Sequence, residues 1–360
     1  MAMLEASWVD PVATRLWALK LLDRVGVPTA DARLLVDGLI QASLCGMDGH
    51  GLFFLPVYVK RLELGLIAKR GALRIVQEGP GFALLDGGNL LGHVSAYRAM
   101  ETAIAKARQA GVGVVGLRNG NHSGIMARYT LLAAEAGCIG IATTNTPPLM
   151  APWGGFLPFF GTNPLSIAVP AGEEPPLVLD MATSTVARSK ILLADQRGER
   201  IPLDWALDAS GRPTDDPRAA LDGTMAPMSG HKGFGLAVMI DALSGLFSGA
   251  ASGQEVGDIF RYDDGPQNVG HFFQAIDLDR VGEGGEFRRR VDGLIRHVRS
   301  VPTAPGVDRI RLPGDVERET AEVRRAQGIP LTRDVLEALQ GLGARYHVPW
   351  PSASPGDSAR

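Results

Sequence analysis

Two histidines stand in glycine-flanked turns, His50 in GMDGHG (46–51) and His122 in NGNHSG (119–124). A histidine between glycines is poorly covered by its neighbours and open to approach. With an ordinary pKa near ~6.5, imidazole gives or takes a proton at neutral pH. A lone histidine is usually structural, so the weight lies on the pair and on what surrounds it. Asp180 closes an apolar strand-like run, PLVLDM (176–181). A carboxylate bonded to the far imidazole nitrogen would fix a histidine's tautomer. Thr183, Ser184 and Thr185 follow, then Arg188 and Lys190. These suit the edge of a site, and the hydroxyls equally suit a helix N-cap. SGHKGFG (229–235) places Lys232 in a glycine-rich turn opening an apolar helix, where free N–H groups and the helix dipole favour an anion. The GxxxxGK spacing of a P-loop is absent, as are the HxxxH and HExxH metal spacings and the GxSxG elbow of serine hydrolases. Spacing therefore points to acid–base chemistry on a small molecule, with no metal.

The elements that must position these residues follow from periodicity. An apolar run at 112–117 reads as a strand that empties into the His122 turn, followed by a helix and a second strand at 138–143. The segment from Asn145 to Pro164 is rich in Gly, Pro and Asn and almost uncharged, so it packs against a ligand, another subunit or the protein's own interior. GVGVVG (111–116) matches GxGxxG literally, but it follows a helix and is itself strand-like. A dinucleotide fingerprint has the reverse order, so the match is rejected. Helices are expected at 10–25 (apolar face Val12, Leu16, Leu19, Leu22), 29–42, 96–109, 286–298, 317–327 and 332–342. Further strands are expected around a turn at 78–81, at 271–276 and at 309–312. The apolar stretch 233–253 carries one charge, Asp241, and reads as a helix buried in protein rather than a membrane span. The tail 348–360 has a disordered composition.

The totals agree with a globular α/β protein: 360 residues, 45% hydrophobic and 21% charged, with 45 Gly and 24 Pro. A net charge of −3 argues against nucleic acid or an acidic membrane as partner. The two cysteines, Cys45 and Cys138, form no CxxC pair. With no signal-peptide pattern at the start, a reducing, cytoplasmic setting is expected.

The chain resembles the malate/L-lactate dehydrogenase family of the second type, NAD(P)-dependent oxidoreductases unrelated to the Rossmann-fold lactate and malate dehydrogenases. The resemblance spans roughly 11–339. It rests on GMDGHGLFFLPVYVKRLELG, RNGNHSG, IGIATTNTPPLMAPWGG, GTNPLSIAVP, LVLDMATSTVARSKI, DWALDASGRPTDDP, GHKGFGLAVMIDAL and LPGD, in that order. It implies a family-specific, non-Rossmann cofactor domain on a mixed, largely antiparallel sheet (71–315, with a possible subdivision near 225–300). It also implies a helical domain from the N- and C-terminal segments (1–70 with 316–347), and a homodimer with the site near the subunit contact. The cofactor implied is NADP or NAD. The family's proton-transfer histidine falls on His50, its second histidine on His122 and its acidic partner on Asp180. Cofactor contacts fall on His122, Thr146, Asp180, Met181, Ala182, Lys232, Gly314 and Asp315, and a substrate-side tyrosine on Tyr58.

Departures from the family pattern bear on the substrate. Gly49 stands where a hydroxyl residue usually precedes the histidine, and Phe54 stands where an arginine usually clamps a carboxylate. A phenyl ring cannot mimic a bidentate guanidinium. Arg128 or Arg61 is expected to restore the clamp, or else the pocket has become more apolar. The function expected is hydride transfer to or from a small 2-oxo/2-hydroxy acid or cyclic imine. The alternative is a catalytically impaired homologue acting as a cofactor-binding or scaffold dimer. Arg188, Lys190 and Arg197 are candidates for the contact that separates NADPH from NADH.

Overall fold

A computed structural model describes residues 7–351. Strand β1 (Ser7–Val9) leads into α1 (Pro11–Val25), α2 (Thr29–Leu44) and α3 (Leu55–Glu63). A hairpin of β2 (Arg74–Gly79) and β3 (Phe82–Asp86) follows, then α4 (Gly92–Ala110), β4 (Val112–Gly120), α5 (Ala127–Glu135), β5 (Cys138–Thr144), β6 (Leu165–Val169) and β7 (Leu177–Met181). Next come α6 (Arg188–Arg197), β8 (Ala206–Leu207), α7 (Pro217–Asp222), β9 (Thr224–Met225) and α8 (His231–Asp241). The chain continues with β10 (Val269–Asp277), α9 (Leu278–Val281), α10 (Gly284–Ser300), α11 (Asp315–Gln327), β11 (Ile329–Leu331) and α12 (Arg333–Arg345).

The main sheet runs β2-β3-β4-β10-β5-β6-β7. β3 and β4 pair parallel across the α4 crossover, and every other neighbouring pair is antiparallel. This is the mixed, largely antiparallel sheet that the sequence implied. GVGVVG is the entry to β4. A Cβ on Gly113 would stand 1.9 Å from the Ala103 carbonyl oxygen, so the glycine lets α4 pack on the sheet and has no part in holding phosphate.

A separate apolar core joins α1, α2 and α3 to β11 and α12. Asp10 caps α1, accepting the Ala13 N–H at 2.6 Å, and Gly26 ends it at φ 92°. The buried face of α1 differs from the expected one. Trp17, Ala18, Leu21 and Leu22 face the core, while Val12 and Leu16 are 65% and 52% exposed. The larger Trp17 takes the inward side and donates its indole N–H to the Val348 carbonyl. Trp350 lies edge-on to Trp17. The expected disordered tail therefore does not begin at 348: Val348 is buried and Trp350 packs, because both are apolar and meet Trp17. Residues 352–360 of that tail lie outside the described residues.

Three further differences have local causes. β1 pairs antiparallel with β11, Ser7 opposite Leu331, a three-residue ladder too short to read from periodicity. Residues 309–312 join no strand, and the chain is tied to β7 by the Val178 N–H donating to the Pro313 carbonyl. The 233–253 stretch is half-buried rather than enclosed. Asp241 is inside, bonded to Asn145, Ser252 and Gly253, but Met239, Leu246 and Phe247 are exposed. No helix among the described residues is long and apolar enough to cross a membrane. The uncharged loop after β5 is pinned at its ends by buried Asn145 and Asn163, while Trp153, Phe156 and Leu157 at its tip are exposed.

Candidate active site

His50 ends a short 3₁₀ turn that follows α2. The turn is fixed from two sides. Gly51 lies against Ser43, where a Cβ would come 2.0 Å from the Ser43 hydroxyl, and that hydroxyl accepts the Leu52 N–H. From α11, Arg324 grips the Asp48 carboxylate at 2.6 and 3.1 Å. His50 keeps an exposed face in the single chain, yet protein crowds it enough that desolvation lowers its pKa. Among the described residues neither of its ring nitrogens has a hydrogen-bond partner.

The turn after β4 brings His122 to the same place. Its ring stacks on His50 with centroids 5.6 Å apart and on Phe54 at 4.4 Å. The Tyr58 hydroxyl lies 2.6 Å from His122 Nδ1, and Gln267 accepts the His122 backbone N–H. Tyr58 is fully buried, and desolvation raises its pKa well above 10, so it stays protonated and is the natural donor to Nδ1. Neutral His122 then carries its proton on Nε2. Burial pushes the His122 pKa well below the ordinary value, and the neighbouring imidazoles of His50, His93 and His271 push it the same way.

β7 carries Asp180 and Met181 of the other expected residues. Its Val178 packs against Gly314. Asp180 accepts the Ala127 N–H at 2.8 Å, at the start of the helix that follows His122. Desolvation raises the Asp180 pKa to about 7 against these N–H bonds, and Glu317 adds to the rise. The carboxylate thus orients the start of α5. Among the described residues it makes no hydrogen bond to His50, the partner the sequence suggested for it. Met181 ends β7 opposite Leu165, and Ala182 follows. Thr183 then donates its N–H to Thr162 and accepts from Met228, which sets the α8 entrance beside it. Lys232 is exposed in the first turn of α8 and makes no ion pair among the described residues. Thr146 donates its N–H to Asn163, and its buried hydroxyl has no protein partner. Asp315 is held by Arg299 and Arg318 and accepts the Leu312 N–H.

The anion clamp expected of Arg61 is overturned. Its guanidinium is fully buried and donates to the carbonyls of Ile259, Arg261 and Gly265 at 3.2, 2.7 and 2.9 Å. It staples the 258–265 loop to α3. Arg128 bonds Gln41 at 3.2 Å and lies over the Tyr97 ring. It also packs beside His93, whose ring is edge-on to Tyr58. Sequence reasoning missed His93, His271, Gln267 and Phe260. His93 sits inside helix α4 with no turn around it, so nothing local marks it as a neighbour of the site. It is 1% exposed, and burial, then Arg128 and His50, lower its pKa to about 3.

This geometry has relatives. A sequence profile of the malate/L-lactate dehydrogenase family matches residues 9–340. The chain is 40% identical over 332 residues to an L-sulfolactate dehydrogenase of Methanothermobacter thermautotrophicus, covering 91% of this chain and 94% of that protein. It superposes on a malate dehydrogenase of Entamoeba histolytica with a TM-score of 0.92 at 32% identity, covering 97% of this chain and all (100%) of the other. A delta1-piperideine-2-carboxylate reductase of Pseudomonas syringae pvar. tomato gives a TM-score of 0.83 at 28% identity, covering 93% of this chain and 99% of the other. With a family profile matched over most of its length and relatives of this identity, the chain belongs to the malate/L-lactate dehydrogenase family of NAD(P)-dependent oxidoreductases.

Proposed function

We propose that the protein moves hydride between NAD(P) and a small 2-oxo/2-hydroxy acid or cyclic imine, with His50 giving or taking the proton. The observation that carries this is the unequal environment of two stacked histidines. Tyr58 occupies Nδ1 of His122 at 2.6 Å, whereas His50 has an exposed face and free ring nitrogens. His122 orients and His50 transfers. An imidazolium with a lowered pKa is the stronger acid, so it gives its proton readily to the substrate oxygen and is left neutral.

The residues present fit a dinucleotide. The orphaned Thr146 hydroxyl and the unpaired Lys232 at the α8 entrance each offer a polar group with no protein partner. Thr146, Asp180, Met181, Ala182, Lys232, Gly314 and Asp315 would hold it, with His122 facing the reacting end. When bound, the cofactor supplies the hydride; the chain binds, orients and moves the proton. Tyr58 and Phe54 shape the substrate side, and Arg128 acts on that wall through His93 and Gln41. A second reading, an impaired homologue serving as a cofactor-binding scaffold, draws on Gly49 and on the Phe54 ring that closes over His122.

Fluorescence titration with NADH and with NADPH tests the pocket, and His50→Ala tests the chemistry. The variant should bind cofactor as the wild type does and lose at least a hundredfold in turnover. Full turnover in the variant would remove His50 from its role, and absence of turnover in the wild type would favour the scaffold. Two copies would meet through the exposed apolar residues of α8, of the helical turn that continues it (Ala242–Leu246) and of the neighbouring loop tip, where Trp153 lies beside His231. Light scattering of Met239→Asp/Leu246→Asp against the wild type tests this, and a dimeric variant would refute it.

A further inference from the structure

Phe54 belongs to a longer aromatic surface that begins at the histidines. His50 stacks on His122 and His122 on Phe54; Phe54 meets Phe260 at 5.6 Å, and Phe260 approaches Phe53 at 6.3 Å. The inner end is closed, with Phe54 only 5% exposed, but Phe53 and Phe260 are 43% and 50% exposed. Two open phenyl rings beside the proton-transfer site form apolar surface that a ligand can cover. Phe260 is not loosely held. Its loop is the one stapled by the buried Arg61, so the ring is placed before any ligand arrives. Beyond Phe260 lies an open depression of about 660 Å³, lined also by Leu64 and Tyr262 and by the charged Lys60, Arg261 and Asp263, with room for a group much larger than a methyl.

We infer that the substrate is a 2-oxo acid, or its 2-hydroxy counterpart, whose side chain is aromatic or bulky and apolar, laid against Phe54 and Phe260. This rests on the oxidoreductase reading above. The carbonyl carbon gains the hydride and the carbonyl oxygen gains the proton from His50, while the dihydronicotinamide is oxidised to nicotinamide. The side chain does not react; its burial supplies binding energy that positions the carbonyl. A short acidic side chain covers less of the Phe54 and Phe260 rings and so draws less binding energy from them.

The test uses the full chain with whichever nucleotide it binds, and compares kcat/KM for phenylpyruvate, pyruvate, oxaloacetate and a cyclic imino acid. Phenylpyruvate should be preferred at least tenfold. Phe260→Ala should lower the phenylpyruvate-to-pyruvate ratio at least tenfold, and Phe260→Tyr should restore it. Preference for pyruvate, oxaloacetate or the imine overturns the inference and leaves the oxidoreductase reading standing. So does an unmoved ratio in Phe260→Ala. If that variant also changes its oligomeric state, the rings belong to a contact between copies. Failure to bind either nucleotide and to reduce any of the four compounds sinks the underlying reading instead.

Discussion

Replacing His93 by glutamine tests whether the imidazoles behind the site are held neutral. His93 is 1% exposed, its Nδ1 has no partner, and its pKa is pulled from 6.5 to about 3. The unfolded chain protonates this residue below the ordinary value, and the folded protein does not. Its contribution to stability is thus fully present above that value and is lost as pH falls, by about 1.4 kcal/mol per pH unit. Between pH 6.5, where the unfolded residue is already half protonated, and about 4.5 the loss is about 2 kcal/mol, a few tens-fold in the folding equilibrium. His271, fully buried and lowered to about 4, adds a loss of the same sign. Asp180 works in the opposite sense: with a folded pKa of about 7, it gains stability as pH falls. Comparing wild type with variant cancels both. Urea unfolding at several pH values gives the slope of stability against pH. His93→Gln should start less stable, since Gly38 and Gly124 pack closely around the imidazole, but should lose about 2 kcal/mol less on acidification. Parallel slopes would refute the claim that His93 is held neutral.

Tyr58→Phe removes the donor to His122 Nδ1 and leaves that nitrogen unpaired, a cost of about 1–3 kcal/mol. We expect a ten- to hundredfold drop in kcat/KM and a changed His122 tautomer by nitrogen NMR, and an unchanged tautomer contradicts the assignment. Arg61→Met strands three carbonyls and should cost about 3 kcal/mol, with faster hydrogen exchange confined to 258–265. Slow exchange there would show that the staple is dispensable. Because His50 must be protonated to reduce substrate, kcat/KM for reduction should fall as pH rises through a value below the ordinary 6.5. A break near 7 would point to Asp180 instead.

Much of this arrangement was legible because its signals are local. The glycine-flanked turns around His50 and His122, the strand ending at Asp180 and the cap of α1 each lie within a few residues. The rejected GxGxxG match could be settled from element order alone, since a helix precedes it. What escaped depends on distant partners. Arg61 had the charge for a clamp, but its partners lie some two hundred residues on. Val12 and Leu16 fit an apolar face on spacing, yet Trp17 claimed the core through a contact with Val348. Phe260 carries no chemical signature of its own, and only the fold brings it to Phe54.

The β1–β11 ladder has a consequence for how the protein is made. Ser7 waits for Leu331, and the turn bearing His50 waits for Arg324, so during synthesis β1 and that turn lack these partners until roughly 270 to 320 further residues have emerged. Contacts of such long sequence separation form late and slowly. A nascent chain stalled before residue 324 would carry every expected catalytic side chain and still lack the grip on Asp48 that sets His50 in place. The turn that carries His50 is therefore set by a residue 276 positions beyond Asp48 in the chain.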